Sequence, residues 1–216
     1  MIGHFAPALA GKKFAPGVSL GTLMFAGVFP DILWPIFSLY GIEHFRITPG
    51  ITKVNALDLY DFPYSHGLVF SVLWAFIFGA VYFVIKRDRR NAIVLSLCVF
   101  SHWILDFISH IKDLPVLPGF GLKMGLGLWN SVLGTIIVEY GLFIVGIVIY
   151  FMVTKRTNIL GIILPVILIV ILTLSYISGF LVPPPPDANM VIYMSFFQIL
   201  FIMIGYWTDK NRAMTA

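Results

Sequence analysis

The chain has 216 residues, 59% of them hydrophobic and 11% charged, and its mean hydropathy is +0.96. These values exclude an ordinary soluble globular domain and point to a polytopic membrane protein, whose helices pack in lipid through small residues and polar contacts. The net charge of +4 comes as short basic clusters between apolar runs, so it reads as a topology signal, and no nucleic acid binding is expected.

Residues 1–11, MIGHFAPALAG, are broken by Pro7 and followed by Lys12-Lys13. They are too short to span and read as a brief helix or interfacial segment; with no basic stretch ahead of them, a removable signal peptide is not expected. From Gly17 to about Tyr40 the chain is long enough to cross. Pro30-Asp31 and Pro35 interrupt it, so a kinked or broken first span carrying Asp31 is expected. Residues 41–65 hold Glu43, His44, Arg46, Lys53, Asp58 and Asp61 and read as a water-facing connection, with His44 a solvated surface residue.

Gly67 to Ile85 is a second span, closed by Lys86, Arg87, Arg89 and Arg90; Asn91 to about Ile108 is a third. It contains the single Cys98, which excludes an intrachain disulfide and a cysteine-based zinc site. Residues 111–131 carry Pro115, Pro118 and glycines at 119, 121, 125 and 127, which disfavour a continuous helix. Val132 to Val153 is a fourth span with Glu139 inside it, Ile159 to Val182 a fifth without ionisable residues, and Met190 to Trp207 a sixth. The expected fold is therefore all-α, a polytopic membrane helix bundle of about six spans. It forms a single domain, with a metal-site-bearing region at 1–140 and one further span plus two anchoring spans at 141–216.

Lys12, Lys13, the four basic residues at 86–90, Lys155, Arg156, Lys210 and Arg212 fall on one side, ten against Arg46, Lys53, Lys112 and Lys123 on the other. The bias places the chain in the inner, cytoplasmic membrane with both termini cytoplasmic.

The third span ends on Ser101-His102-Trp103-Ile104-Leu105-Asp106-Phe107-Ile108-Ser109-His110. His102, Asp106 and His110, at i, i+4 and i+8, share one helical face, and ionisable groups at membrane depth mark a functional site by default. The basic clusters also give a ruler. Asp106 is 16 residues past Arg90 and Glu139 is 16 before Lys155, about 24 Å along a helix. The same measure puts Asp31 at about 27 Å, His66 and His110 at about 30 Å and His102 at about 18 Å. Six groups from four spans thus converge in the half of the bilayer away from the cytoplasm. His4 lies low on this ruler and joins only if residues 1–11 form a re-entrant arm beside the first span.

Imidazoles and carboxylates without thiolates suit zinc, or manganese or iron where oxygen ligands dominate. His66, His102, Asp106 and Asp31 complete one four-ligand site, and His110 with Glu139 contribute to a second. Such a centre activates water for phosphoryl transfer, with Asp31 or Glu139 as base. A serine-hydrolase triad is the weaker enzyme reading, since no nucleophile elbow of the G-x-S-x-G kind is expected in the chain. The competing class is a proton- or metal-coupled transporter using the same cluster.

Pro30-Asp31, Pro63-Tyr64-Ser65-His66 and Ser101-His102-x-x-x-Asp106, with His4, Asp113-Leu114-Pro115, residues 125–131 and Glu139, resemble the membrane-bound metal-dependent hydrolase family. These are inner-membrane hydrolases of bacteria and archaea that include LexA-regulated members. The order of histidines and aspartates is also similar to that of zinc-dependent phospholipases C. The resemblance implies a metal held by Asp31, His66, His102 and Asp106, with Asp106 bridging to a site that includes His4, and His110 and Glu139 in another. The expected function is metal-dependent hydrolysis of a phosphoester in a lipid or other membrane-accessible substrate, and the depth ruler sets the site toward the extracytoplasmic face.

Overall fold

In the computed structural model, which describes residues 2–215, the chain is an all-α polytopic bundle carrying three two-stranded sheets. Met1 and Ala216, the last residues of the two expected cytoplasmic termini, lie outside the described residues. Among the described residues, five helices are long and apolar enough to cross a membrane, or six when the bent first pair counts as one span. Their outer faces carry Phe76, Leu97, Ile137, Met152 and Leu174, each more than 60% exposed. A continuous apolar outside of this kind is what a helix turns toward lipid.

The chain starts with α1 (Phe5–Gly11), continued upward by a single 3₁₀ turn at Ile2–His4. The first span is α2 (Leu20–Gly27) and α3 (Phe29–Leu39), bent by 54° at Val28. Pro30 lacks the N–H that a continuous helix would donate to the preceding turn, so the break falls just ahead of it. A hairpin of β1 (His44–Ile47) and β2 (Leu57–Asp61) follows, then the short α4 (Pro63–His66), the span α5 (Leu68–Lys86) and the span α6 (Arg89–Ser109). A second hairpin, β3 (Leu114–Pro115) with β4 (Lys123–Met124), covers the same end of the bundle. The fourth span, Val132–Val153, opens as α7 (Val132–Thr135), widens into a π-helical turn at Ile136–Tyr140 and continues as α8 (Gly141–Val153). At the opposite end β5 (Thr154–Arg156) pairs with β6 (Arg212–Met214), after α9 (Leu160–Leu181) and a last span built from α10 (Ala188–Ser195) and α11 (Gln198–Lys210).

Three expectations need correction. The depth ruler set Lys12 at the membrane surface, but its side chain is buried, bonding to Val18 O and Asp209 Oδ2, each at 2.8 Å. Gly11 already lies level with Val94 and Cys98 of α6. The arm therefore starts about a turn higher than the ruler assumed, and eight residues further on His4 reaches the level of His102. Second, residues 41–65 are not simply water-facing: they form a hairpin, and Glu43 is 1% exposed. Third, the last two spans do more than anchor. The core includes Leu168, Leu172, Phe201 and Ile202 beside Ile2, Phe5, Leu23 and Val99, and α11 packs along α2. Arm and α8 touch closely, since a Cβ at Gly146 would sit 2.9 Å from Ala6 Cα.

Candidate metal centre

Four parts of the chain deliver the polar cluster. The arm brings His4, the bend between α2 and α3 brings Asp31, α4 brings His66 and the last two turns of α6 bring His102 and Asp106, with His110 just beyond. The bend does two things. It turns Asp31 inward at the start of α3, and it leaves the Gly27 carbonyl to accept from His102 Nδ1 at 2.9 Å. Gly27 is itself required there, because a Cβ would stand 2.9 Å from the His4 carbonyl oxygen.

His66 Nε2 lies 3.4 Å from Asp31 Oδ1 and 3.7 Å from Asp106 Oδ2; His102 Nε2 lies 3.5 and 3.2 Å from the same two oxygens. Charge-assisted hydrogen bonds close to about 2.7–2.9 Å, and these contacts do not. Ligand atoms about 2.1 Å from one tetrahedral ion stand roughly 3.4 Å apart, and the observed edges bracket that value. His102 Nε2 and Asp106 Oδ2 are both buried and have no hydrogen-bond partner among the described residues. Two opposed polar atoms left without hydrogen bonds in a buried site carry a cost of several kcal/mol that a shared cation removes.

The far nitrogen of each ring is already committed. His102 Nδ1 faces the Gly27 carbonyl and His110 Nδ1 faces Asp113 Oδ1 at 2.9 Å, both groups that only accept. His66 Nδ1 faces Ser65 Oγ at 2.7 Å, and Ser65 gives its own proton to Glu43 Oε2. All three rings therefore hold a hydrogen on Nδ1, so that Nε2 is the nitrogen each neutral ring turns as a ligand toward the carboxylates, the orientation that second-layer partners impose on metal-binding histidines.

On the other side of the carboxylates, His4 Nε2 is 3.1 Å from Asp106 Oδ1, His4 Nδ1 is 3.7 Å from Asp31 Oδ2, and His110 Nε2 is 3.7 Å from Asp106 Oδ1. Asp31 and Asp106 thus each turn one oxygen toward His66 and His102 and the other toward His4 or His110. The buried group His4, His102, Asp106 and the group Asp31, His66, His102, in which Asp31 is partly exposed, could each hold a metal ion.

The structure thus joins His4, Asp31, His66, His102 and Asp106 and sets His110 at their edge. Glu139 is 3% exposed on the π-helical turn, behind His4, where it accepts from Ser109 at 3.5 Å; it belongs to neither ligand group. A cavity of about 130 Å³ opens onto the cluster, lined by apolar Trp34, Leu57, Leu59 and Phe62, with Trp129 and Asn55. Among the described residues lining it there is no lysine or arginine.

Two participants were given no role from the sequence. Asp113 entered only within the Asp113-Leu114-Pro115 motif, although His110-x-x-Asp113 has the spacing of a side-chain pair at a helix end. Glu43 reaches Ser65 across 22 residues, and no local pattern announces that. Burial pushes its carboxyl above the usual carboxylate range, against the pull of its hydrogen bonds to Ser65 and Tyr64. The serine-hydrolase reading also needs a correction, since Gly17-Val18-Ser19-Leu20-Gly21 does have the G-x-S-x-G spacing. Ser19 there caps α2 by accepting from Thr22 N, at the basic end of the bundle away from the histidines.

Compared with family models, with curated proteins and with solved structures, the chain matches none.

Proposed function

We propose that this protein is a membrane-embedded metal-dependent hydrolase acting on a phosphoester of a lipid or another membrane-accessible substrate. The observation that carries the reading is the facing pair His102 Nε2 and Asp106 Oδ2, 3.2 Å apart, buried and without hydrogen bonds. Zinc is the proposed ion, because the donors are imidazole nitrogens and carboxylate oxygens 3.2–3.7 Å from one another. Bound there, a divalent cation polarises a phosphoryl oxygen and lowers the pKa of a coordinated water.

The chain's own groups supply the rest. Asp31 has the more exposed carboxylate, 22% against 3% for Asp106, and lines the cavity, so it is placed to take a proton from attacking water. Trp34, Leu57, Leu59 and Phe62 give the substrate an apolar wall, and Asn55 offers an amide. Among the described residues no lysine or arginine lines the cavity, so a metal held by the cluster would be the group to meet the substrate's charge. The basic clusters lie at the opposite end of the bundle, which supports cytoplasmic termini and a site toward the extracytoplasmic face of the inner membrane. The motif likeness to the membrane-bound metal-dependent hydrolase family supports the same reading.

The test is metal analysis of detergent-purified protein, wild type beside His102→Ala and Asp106→Ala. At least one zinc per chain in the wild type, lost from both variants while they stay monodisperse, is expected, together with chelator-sensitive hydrolysis of bis(p-nitrophenyl) phosphate or phospholipid. A metal-free wild type overturns the proposal. Metal-dependent flux in proteoliposomes without turnover assigns the cluster to transport instead.

A further inference from the structure

We infer that Glu43 is a positioning residue which, acting through Ser65, decides which nitrogen of His66 faces the metal centre; the inference rests on the metal-site reading above. Glu43 Oε1 accepts the backbone N–H groups of Tyr64 and Ser65 at 2.7 and 2.8 Å, and Oε2 accepts the Ser65 hydroxyl at 2.5 Å. A hydroxyl has one proton. With that proton given to Glu43, Ser65 Oγ has only lone pairs left for His66 Nδ1 at 2.7 Å, so Nδ1 is the donor. In the neutral ring Nε2 is then the lone-pair nitrogen, and it is the one that meets Asp31 Oδ1 and Asp106 Oδ2.

Holding α4 in place does not account for this carboxylate. Glu43 is 1% exposed, and among the described residues no lysine or arginine forms an ion pair with it. Isolating a charge in this way costs several kcal/mol, whereas a neutral acceptor would serve the two backbone N–H groups as well. Only an acceptor at Oε2 fixes the direction of the Ser65 hydroxyl. In Glu43→Gln the side-chain oxygen keeps both backbone bonds while the NH₂ group donates to Ser65 Oγ. Ser65 then turns its proton toward His66 Nδ1, and the ring proton moves to Nε2, where it blocks ligation. The relay from carboxylate through hydroxyl and imidazole runs in reverse.

Selectively ¹⁵N-histidine-labelled protein in detergent reads the tautomer without metal, and zinc titration reads its consequence. The wild type is expected to show His66 protonated at Nδ1, and Glu43→Gln at Nε2, with zinc affinity down 10–100-fold, the range typical of lost second-layer partners. Ser65→Ala removes the relay, so adding Glu43→Gln to it changes zinc affinity no further; a purely structural role for Glu43 would still lower it. If Glu43→Gln does not fold, Ser65→Ala alone is expected to mix the two tautomers. Glu43→Gln or Ser65→Ala with the wild-type tautomer overturns the inference and leaves the metal reading standing. A wild type that binds no zinc overturns the metal reading, and the tautomer shift still decides the relay.

Discussion

Asp106 touches more of the cluster than any other residue: its two oxygens meet His4, His66, His102 and His110 within 3.7 Å. One carboxylate oriented by a rigid helix can serve two ion positions because its oxygens diverge, and Asp31 repeats the arrangement from the bend. The two positions have different supports. His66 and His102 are steadied by Ser65 and the Gly27 carbonyl, His110 by Asp113. Asp113→Ala is therefore expected to weaken zinc binding at the position on the His4 and His110 side 10–100-fold and to leave the first unchanged, seen as two separated steps in calorimetric titration. A single step shifted as a whole would show that the histidines serve one ion. That Asp31, His66, His102 and Asp106 would meet could be read from the chain because helical spacing and depth are linear in residue number; His4 lay off that scale because Lys12 is buried. Glu43 could not, since its partner Ser65 is brought to it only by the β1–β2 hairpin folding back on α4.

At the level of elements, the long spans were legible because each is an apolar run closed by charge or proline, and the ends of α5, α6 and α9 fall within a residue or two of expectation. The hairpin was missed although His44-Phe45-Arg46-Ile47 alternates with period two; its polar content outweighed the alternation. The π-helical turn at Glu139 has no proline or glycine within it to announce it, and such turns cluster at functional sites. The break between α2 and α3 does most for the site, since it is there that the first span, the arm and α6 meet. Gly27→Ala tests this. Its methyl group would meet the His4 carbonyl oxygen at 2.9 Å, and crowding of this kind costs about 1–3 kcal/mol. The expected result is a lower unfolding temperature in detergent and weaker zinc binding through displaced His4, with the His66 tautomer unaltered. Unchanged zinc affinity would mean that His4 stands outside the coordination sphere.

Across the whole molecule, the site depends on how the arm is held at its other end. Lys12 was counted among ten surface charges that orient the chain; in the fold it is a buried cation bonded to Asp209 of α11, 197 residues away. Sequence order gives no hint of that pairing, because the last span has to come back against α2 before the pair exists. The side chains of the pair are 6% and 15% exposed, and removing one partner of a buried pair costs about 3 kcal/mol or more because the other charge is stranded. Asp209→Asn should therefore unfold at a clearly lower temperature, while Lys12→Met with Asp209→Leu should recover much of the loss, since an apolar pair leaves no charge behind. The link to function follows from mass action: a ligand that binds only the folded state stabilises it by about 2.7 kcal/mol at a concentration 100 times its Kd. Zinc should thus raise the unfolding temperature of Asp209→Asn toward that of the wild type and leave Asp209→Asn/His102→Ala where it was. If zinc moves both equally, its stabilising effect comes from elsewhere on the protein, and the arm and the cluster are not one mechanical unit.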